Sequence, residues 1–276
     1  MSGLYLYDDN RAREFEPFAL TRPVADMVAG AALQRERWQT ALQLPVVGVI
    51  TAAHLADFDE VTSSPTARGG IPAGSVIANA RFVPKLSTVQ LPAQGAGGES
   101  LDTGFDLWLS GGRVAAARTS RELPADYFTE GRLTLDDVGR SGAETTMLDG
   151  WWVEDVWDFV RLLPEQLADD LAFFQKPSFG GVVTASRSAP PPAHAIVIGN
   201  HPVMIAADRL VAGEVVVKGA TIEPQVVFDA TAGPIHVGAG STVHSFTRLV
   251  GPCYIGRNST VLGDRLGICS IGDHCK

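Results

Sequence analysis

The sequence contains no apolar run approaching the roughly 20 residues that a membrane-crossing helix needs. Its opening, Met1-Ser2-Gly3-Leu4-Tyr5-Leu6-Tyr7-Asp8-Asp9, has no basic segment and reaches two aspartates at once, which argues against a secretory signal. Cysteine is scarce: Cys253, Cys269 and Cys275 are an odd number crowded into the C-terminal part. That does not resemble a disulfide framework, and a cytoplasmic protein with reduced thiols is the expectation. Positive charge is also in deficit, with 22 Lys and Arg against 31 Asp and Glu and a formal net charge of -9. Such a surface repels nucleic acid and anionic membranes, so neither is expected as a main partner. A small phosphorylated ligand remains open to it, since that needs only a local basic pocket.

What is present is enough for two cores. The chain has 276 residues, 45% hydrophobic and 19% charged, a length that favours two domains. Residues 1–176 read as mixed α/β. Gly3–Tyr7 is a short apolar strand. Ala29–Gln43 is rich in helix formers and is stopped by Pro45. Val46–Ile50 then reads as a buried strand, so strand, helix and strand predict a parallel βαβ unit. Gly111-Gly112 between two apolar runs predicts a hairpin over Asp106–Arg118. Val156, Phe159, Val160, Leu163, Leu167 and Leu171 recur at helical spacing. Pro164 interrupts them, which predicts a kink or two abutting helices. Residues 177–194, with Pro190-Pro191-Pro192, read as a linker that hides a possible strand at Val182-Val183.

From residue 195 the pattern changes. Val237, Val243, Leu249, Ile255 and Val261 are aliphatic at intervals of six. Small residues (Ser241, Thr247, Cys253, Ser259) hold the matching fifth positions, and Gly238 and Gly256 follow two of the aliphatics. This is a hexapeptide repeat. It predicts a left-handed parallel β-helix over 195–276, each unit forming one flat face of a triangular coil. Val237 should then stack on Ile255, and Val243 on Val261, one coil or about 18 residues on. The glycines are expected to supply the corner's backbone angles. Val216, Ile222 and Phe228 keep the same period in another register, offset by an insert at Asp229–Pro234. The last residues begin a further unit, so continuation beyond Lys276 is expected; cover from a neighbouring subunit is the alternative.

An α/β domain followed by a β-helix resembles the family of bifunctional N-acetylglucosamine-1-phosphate uridyltransferases and glucosamine-1-phosphate acetyltransferases. More narrowly, the chain resembles a divergent bacterial branch of sugar nucleotidyltransferases. The residues that carry this are Asp8-Asp9, Thr21-Arg22-Pro23-Val24-Ala25-Asp26, Arg35-Glu36-Arg37-Trp38 and Asn79-Ala80-Arg81, with Trp157-Asp158, Asp170 and Gly233-Pro234-Ile235 further on. The resemblance implies a nucleotidyltransferase-like (Rossmann-like) N-terminal domain, nucleoside triphosphate and sugar 1-phosphate as substrates, and Mg²⁺ as cofactor. It also implies a homotrimer joined through the β-helix. Acetyl-CoA is a further cofactor for a longer chain, because the family's acetyl-transfer residues lie in later coils. One departure stands out. The family's usual glycine-rich phosphate loop and lysine are absent, and no glycine occurs from Asp9 to Ala29.

Without a backbone nest, phosphate must be held by side chains. Arg11, Arg13, Arg22, Arg35 and Arg37 form a local basic cluster in an acidic chain, and arginine binds phosphate bidentately. Catalytic roles are expected of Arg22 and Asp26. Substrate contacts are expected of Asp8, Asp9, Arg11, Thr21, Arg35, Asn79 and Arg81, and Mg²⁺ ligation of Asp9 and Asp26, with Asp8 a further donor. Capping or turn formation is the alternative for the aspartates, and solvated ion pairs for the arginines. Asn79 and Arg81 follow an apolar run and should sit at a strand's C-terminal end, where α/β sheets bind ligands. Trp151, Trp152 and Trp157 read as core or interface. His236, His244 and His274 read as surface or corner residues, although acyl transfer needs a histidine base. Two other readings stay open: an acyltransferase whose N-terminal domain only binds sugar nucleotide, and a non-catalytic scaffold subunit.

Overall fold

The computed structural model describes residues 3–60, 63–86, 106–129, 135–137, 144–175, 188–207, 209–211 and 215–276. The chain divides into two compact units, Met1–Phe159 and Val160–Lys276. Pro177–Arg187, most of the expected linker together with Val182-Val183, lies outside the described residues.

The first unit is built on a six-stranded sheet: β1 (Leu4–Tyr7), β2 (Val46–Ile50), β3 (Val76–Asn79), β4 (Leu107–Ser110), β5 (Arg113–Arg118) and β6 (Thr145–Met147). The spatial order is β6-β4-β5-β3-β1-β2. β1 pairs in parallel with both β2 and β3, while β5 runs antiparallel to β3 and β4. The central strands are apolar throughout because both faces are covered. Leu4 and Leu6 enter a core with Trp38, Phe82 and Trp108. Tyr7 and Ile77 enter another with Ile50, Ile71 and Phe128.

The βαβ unit is present, but its helix is shorter than the composition predicted. Only Gln34–Leu42 (α2) is helical, after a single earlier turn, Asn10–Arg13 (α1). Residues 28–33 instead form a small hairpin, Val28–Ala29 against Ala32–Leu33, with Gly30 at φ 61°. The left-handed glycine outweighs the helix propensity of its neighbours. Gly111 and Gly112, at φ 59° and 79°, make the expected β4–β5 turn. Pro164 sits in the first turn of α3 (Leu163–Phe174), just after a short helix over Asp158–Arg161, so the two helices abut.

The second unit contains the repeats as parallel strands in a curled sheet. Val237 pairs with Ile255 and Val243 with Val261, the stacking that the period predicts. All five aliphatic positions are buried. Ile222 pairs with Val243 and Phe228 with Leu249, a longer step that absorbs the insert. The small fifth residues form a hydrogen-bonded column. Ser241 Oγ donates to the Gly256 carbonyl (2.6 Å) and accepts from the Ser259 amide (2.9 Å).

The glycines act differently from the expectation. Neither Gly238 nor Gly256 has a left-handed φ. A Cβ on Gly238 would lie 2.7 Å from the Gly256 carbonyl carbon and oxygen, and one on Gly256 would meet Gly272 as closely. Close backbone stacking, not a special dihedral, requires glycine there. The left-handed corners are made by Gln225, Gly240, Phe246, Asn258, Asp264 and His274.

Candidate functional site

Three parallel strands end together: β1 at Tyr7, β2 at Ile50 and β3 at Asn79. The chain leaves β1 for β2 on one side, and β3 lies on the other. That reversal opens a crevice beyond the carboxyl ends of β1 and β3, the place where open α/β sheets bind ligands. Asp8 and Asp9 follow β1, Thr51 follows β2, Asn79 ends β3 and Arg81 lies just beyond it.

Asp8 is buried at 3% exposure. Its Oδ2 accepts from the Thr51 hydroxyl (2.7 Å) and the Val24 amide (3.4 Å). Its Oδ1 is buried with no hydrogen-bond partner among the described residues. Burial pushes the Asp8 pKa up to about 7, against the opposing pull of the Thr51 and Val24 bonds.

Asp9 is held differently. It caps α1 by accepting from the Ala12 amide (2.9 Å). It also accepts from Asn79 Nδ2 (2.9 Å) and from Arg81, whose Nε and second guanidinium nitrogen lie 2.7 to 3.0 Å from its oxygens. Burial works to raise the Asp9 pKa, but the bonds and charge of Arg81 outweigh it and the carboxyl falls below its ordinary value. Arg81 is itself buried, and burial would lower its pKa; Asp9 and Glu154 overcome that and raise it.

The Thr21-to-Asp26 run folds back over this centre. Pro23 is extended and leads into a 3-10 turn, Val24–Asp26, which points the Val24 amide at Asp8. The turn also delivers Asp26, 3% exposed, to Arg35 (Nε to Oδ1, 2.6 Å). Asp26 Oδ2 has no partner among the described residues. Burial raises its pKa, with Arg35 opposing. Arg22 pairs with Glu60 at the surface (3.1 Å). The Thr21 hydroxyl donates to the Phe18 carbonyl (3.0 Å).

The remaining arginines are bound mainly by carbonyls. Arg11 donates to the Glu154 carbonyl (2.7 Å) and pairs with Glu14 (2.6 Å). Arg13 donates to the Asp8 and Phe128 carbonyls. Arg37 is fully buried on the Ala29 and Pro84 carbonyls, a structural position. Three participants were not singled out in the sequence: Thr51, Arg113 and Glu154. Thr51 directly follows the apolar run Val46–Ile50, as Asn79 follows the run ending at Ala78.

The carboxylates decide where a cation fits. Among the described residues no group of three or more His, Cys, Asp or Glu side chains is arranged to hold a metal ion. Magnesium in phosphoryl-transfer sites needs only one or two carboxylates besides substrate oxygens. Asp8 and Asp26 each keep a buried oxygen free of hydrogen bonds, whereas both Asp9 oxygens are engaged. Asp8 and Asp26 therefore fit that role better than Asp9.

Elsewhere, Trp151 and Trp152 are half-buried, but Trp157 is exposed rather than core. In the second unit His236 stacks on Tyr254 (5.2 Å, 11°) beside Phe174, and burial lowers its pKa to about 4. The ring is half-buried against Tyr254 and Phe174. His244 Nδ1 lies 2.9 Å from Glu223, and His274 is exposed. Cys253 and Cys269 face each other on paired strands with Sγ atoms 3.3 Å apart.

No curated protein matches the chain. The sequence model described as sugar nucleotidyl transferase matches residues 4–178, which takes in the whole six-stranded sheet and every carboxylate and arginine of the crevice. That span exceeds half of the 276 residues, and the chain belongs to the sugar nucleotidyl transferase family.

Proposed function

We propose that this protein transfers a nucleotidyl group from a nucleoside triphosphate to a sugar 1-phosphate, with a UDP-N-acetylglucosamine-type product. An oxygen of the sugar phosphate attacks the α-phosphorus, the bond to the β-phosphate bridging oxygen breaks, and pyrophosphate leaves. The observation that carries this reading is Asp8. It is a carboxylate at the switch point of the sheet, with one oxygen held by Thr51 and Val24 and the other buried and unpaired.

The reaction asks the protein for alignment and charge neutralisation rather than covalent chemistry. Asp8 and Asp26 are the donors for Mg²⁺, which when bound neutralises charge on the phosphate oxygens. Arg22 and Arg35 line the turn that carries Asp26, and Arg81 anchors the other side through Asp9. The Ala12 amide at the start of α1 is taken by Asp9 and is closed to phosphate. Side-chain arginines thus replace the backbone nest of a glycine-rich loop.

The test is pyrophosphate release with a panel of nucleoside triphosphates and sugar 1-phosphates in Mg²⁺. Turnover with one pair is expected, lost by about a hundredfold or more in Asp8→Asn. Folded protein that turns over no pair refutes nucleotidyl transfer. Binding of sugar nucleotide without turnover would favour an N-terminal domain that only binds.

The parallel coils of the second unit support a reading as a left-handed hexapeptide β-helix that trimerises the protein in the cytoplasm. Sedimentation at several concentrations tests the trimer. The Glu223–His244 pair, a carboxylate orienting an imidazole, favours acetyl-CoA-dependent acylation as a second activity. Acetyl-CoA consumption that His244→Ala leaves unchanged would exclude His244 as its base.

A further inference from the structure

Beside the crevice, two arginines converge on a single carboxylate. Arg81 is fixed by its bonds to Asp9, and the one nitrogen this leaves donates to the Val153 carbonyl (2.8 Å) and to Glu154 Oε2 (3.0 Å). Arg113 lies flat on the Trp152 ring, its guanidinium carbon 3.8 Å from the centroid, and donates to Glu154 Oε1. Trp152 is held in turn by its indole N–H on the Ser110 carbonyl (3.1 Å). Arg113 reaches this point because β5 runs antiparallel to β3, so its first residue lies at the end where β3 finishes.

The two sides of this contact are unequal. Arg81 is 4% exposed and tied to a buried carboxylate, and Arg113 is stacked and one-third exposed. Glu154 is 53% exposed and sits on the loop after the Gly150–Trp152 strand. One of its oxygens faces each arginine. This is the arrangement that two oxygens of a phosphoryl group also satisfy, since guanidinium forks accept either anion.

We propose that Arg81 and Arg113 form a phosphate clamp and that the Glu154 carboxylate occupies it in the free protein as an internal stand-in. The ligand class is a phosphate ester or anhydride. An entering phosphoryl group takes over the two N–H donors, and Glu154 swings to solvent. Arg11, which donates to the Glu154 carbonyl and is half-exposed, lies beside the same loop and adds a third positive charge. That the ligand is a substrate of nucleotidyl transfer rests on the function proposed above; the clamp itself does not.

Calorimetric titration with inorganic pyrophosphate tests the clamp without requiring turnover. Glu154→Gln removes the competing charge at the same size and sets an amide NH₂ against one of the two arginines, so it should bind pyrophosphate several-fold more tightly than the wild type. Arg113→Ala should bind about tenfold more weakly. Arg68→Ala removes an exposed charge elsewhere, bonded to exposed Asp57 and the Ala56 carbonyl, and should bind as the wild type does. Urea midpoints of the variants separate loss of binding from loss of fold, and Arg113→Lys supplies a milder variant if alanine unfolds the loop. Glucose 1-phosphate titrated in parallel distinguishes the sources. Preference for pyrophosphate assigns the clamp to the nucleotide, and preference for the sugar phosphate assigns it to the acceptor. Unchanged affinity in Glu154→Gln, or in Arg113→Ala, overturns the clamp. Intact binding differences in a protein that turns over no substrate pair would overturn nucleotidyl transfer and leave the clamp standing.

Discussion

Replacing Asp8 by asparagine should flatten the pH dependence of stability of the first unit. The Asp8 carboxyl is raised from 3.8 to about 7, so the folded state holds its proton where the unfolded chain has released it. The contribution of a group with a raised folded pKa is complete below the unfolded value near 4, and it is lost as pH rises through about 7. At about 1.4 kcal/mol per tenfold change in proton affinity, the displacement amounts to roughly 4 kcal/mol; local relaxation and water entry reduce the expectation to about 2–4 kcal/mol. Asparagine mimics the protonated acid and can still accept from Thr51 and Val24. Its NH₂ points where Asp8 Oδ1 has no partner, which adds a cost that does not vary with pH. The slope, not the absolute stability, is therefore diagnostic. The assay is urea unfolding at pH 5, 6, 7 and 8 in a metal chelator, followed by tryptophan fluorescence. All five tryptophans lie between residues 38 and 157, so the signal reports the first unit. His236 has the opposite slope, because its depressed pKa gives stability above 6.5 that is lost as pH falls, but it is common to both proteins and cancels. About two of those pH units lie below the folded pKa, so the wild type should lose about 1–3 kcal/mol relative to Asp8→Asn between pH 5 and 8. Parallel curves for the two proteins would refute a buried carboxyl with a raised pKa.

Three further outcomes are expected. Arg81→Met strands Asp9 as a buried carboxylate without its cation and should cost about 3–5 kcal/mol by urea unfolding; a loss below about 1 kcal/mol would show that Asp9 is better hydrated than its 5% exposure implies. Arg22→Ala removes only an exposed pair with Glu60, so stability should change by less than about 1 kcal/mol while nucleotide binding weakens about tenfold. Unchanged binding in a fluorescence titration would remove Arg22 from the site. The hydrogen bond between Cys253 and Cys269, together with burial, raises the Cys253 pKa, and the same bond lowers that of Cys269. With oxidised glutathione, the Cys269 thiolate should expel one glutathione, and Cys253 should then displace the second to close a disulfide. Peptide mapping should find a 253–269 cross-link; modification confined to Cys275 would contradict that geometry.

The parts of the fold that were legible in the sequence are those with a strong period. Val46–Ile50 reads as a strand because both faces of the sheet are buried, and the six-residue aliphatic spacing reads through to the Val237–Ile255 and Val243–Val261 pairs. Local exceptions were harder. Ala29–Leu33 has helix-forming composition, yet one left-handed glycine turns it into a hairpin. Cys253 and Cys269 are not 18 residues apart, so the period alone separates them. A register shift between Val250 and Cys253 brings them opposite each other. Such shifts arise from how strands dock, and composition carries no trace of them.

The site was legible as residue types at strand ends, but not as an allocation of partners. Asp8 and Asp9 are adjacent and chemically identical, yet their roles separate. The alternation of side chains and the turn into α1 send Asp9 to Arg81, Asn79 and the Ala12 amide, and leave Asp8 under the Val24 turn with one oxygen unsatisfied. One carboxylate is spent on holding the crevice together, and the other is left energetically unfavourable until a cation or proton joins it. The arginines divide in the same way. Arg37 is consumed by buried acceptors and Arg81 by Asp9, except for the one nitrogen turned to Glu154, whereas Arg22 and Arg113 keep exposed partners that a substrate can displace. Function in this crevice thus follows from exchangeability. The groups with saturated buried partners set the geometry, and those with an empty valence or a half-exposed carboxylate partner are the ones available for phosphate and metal.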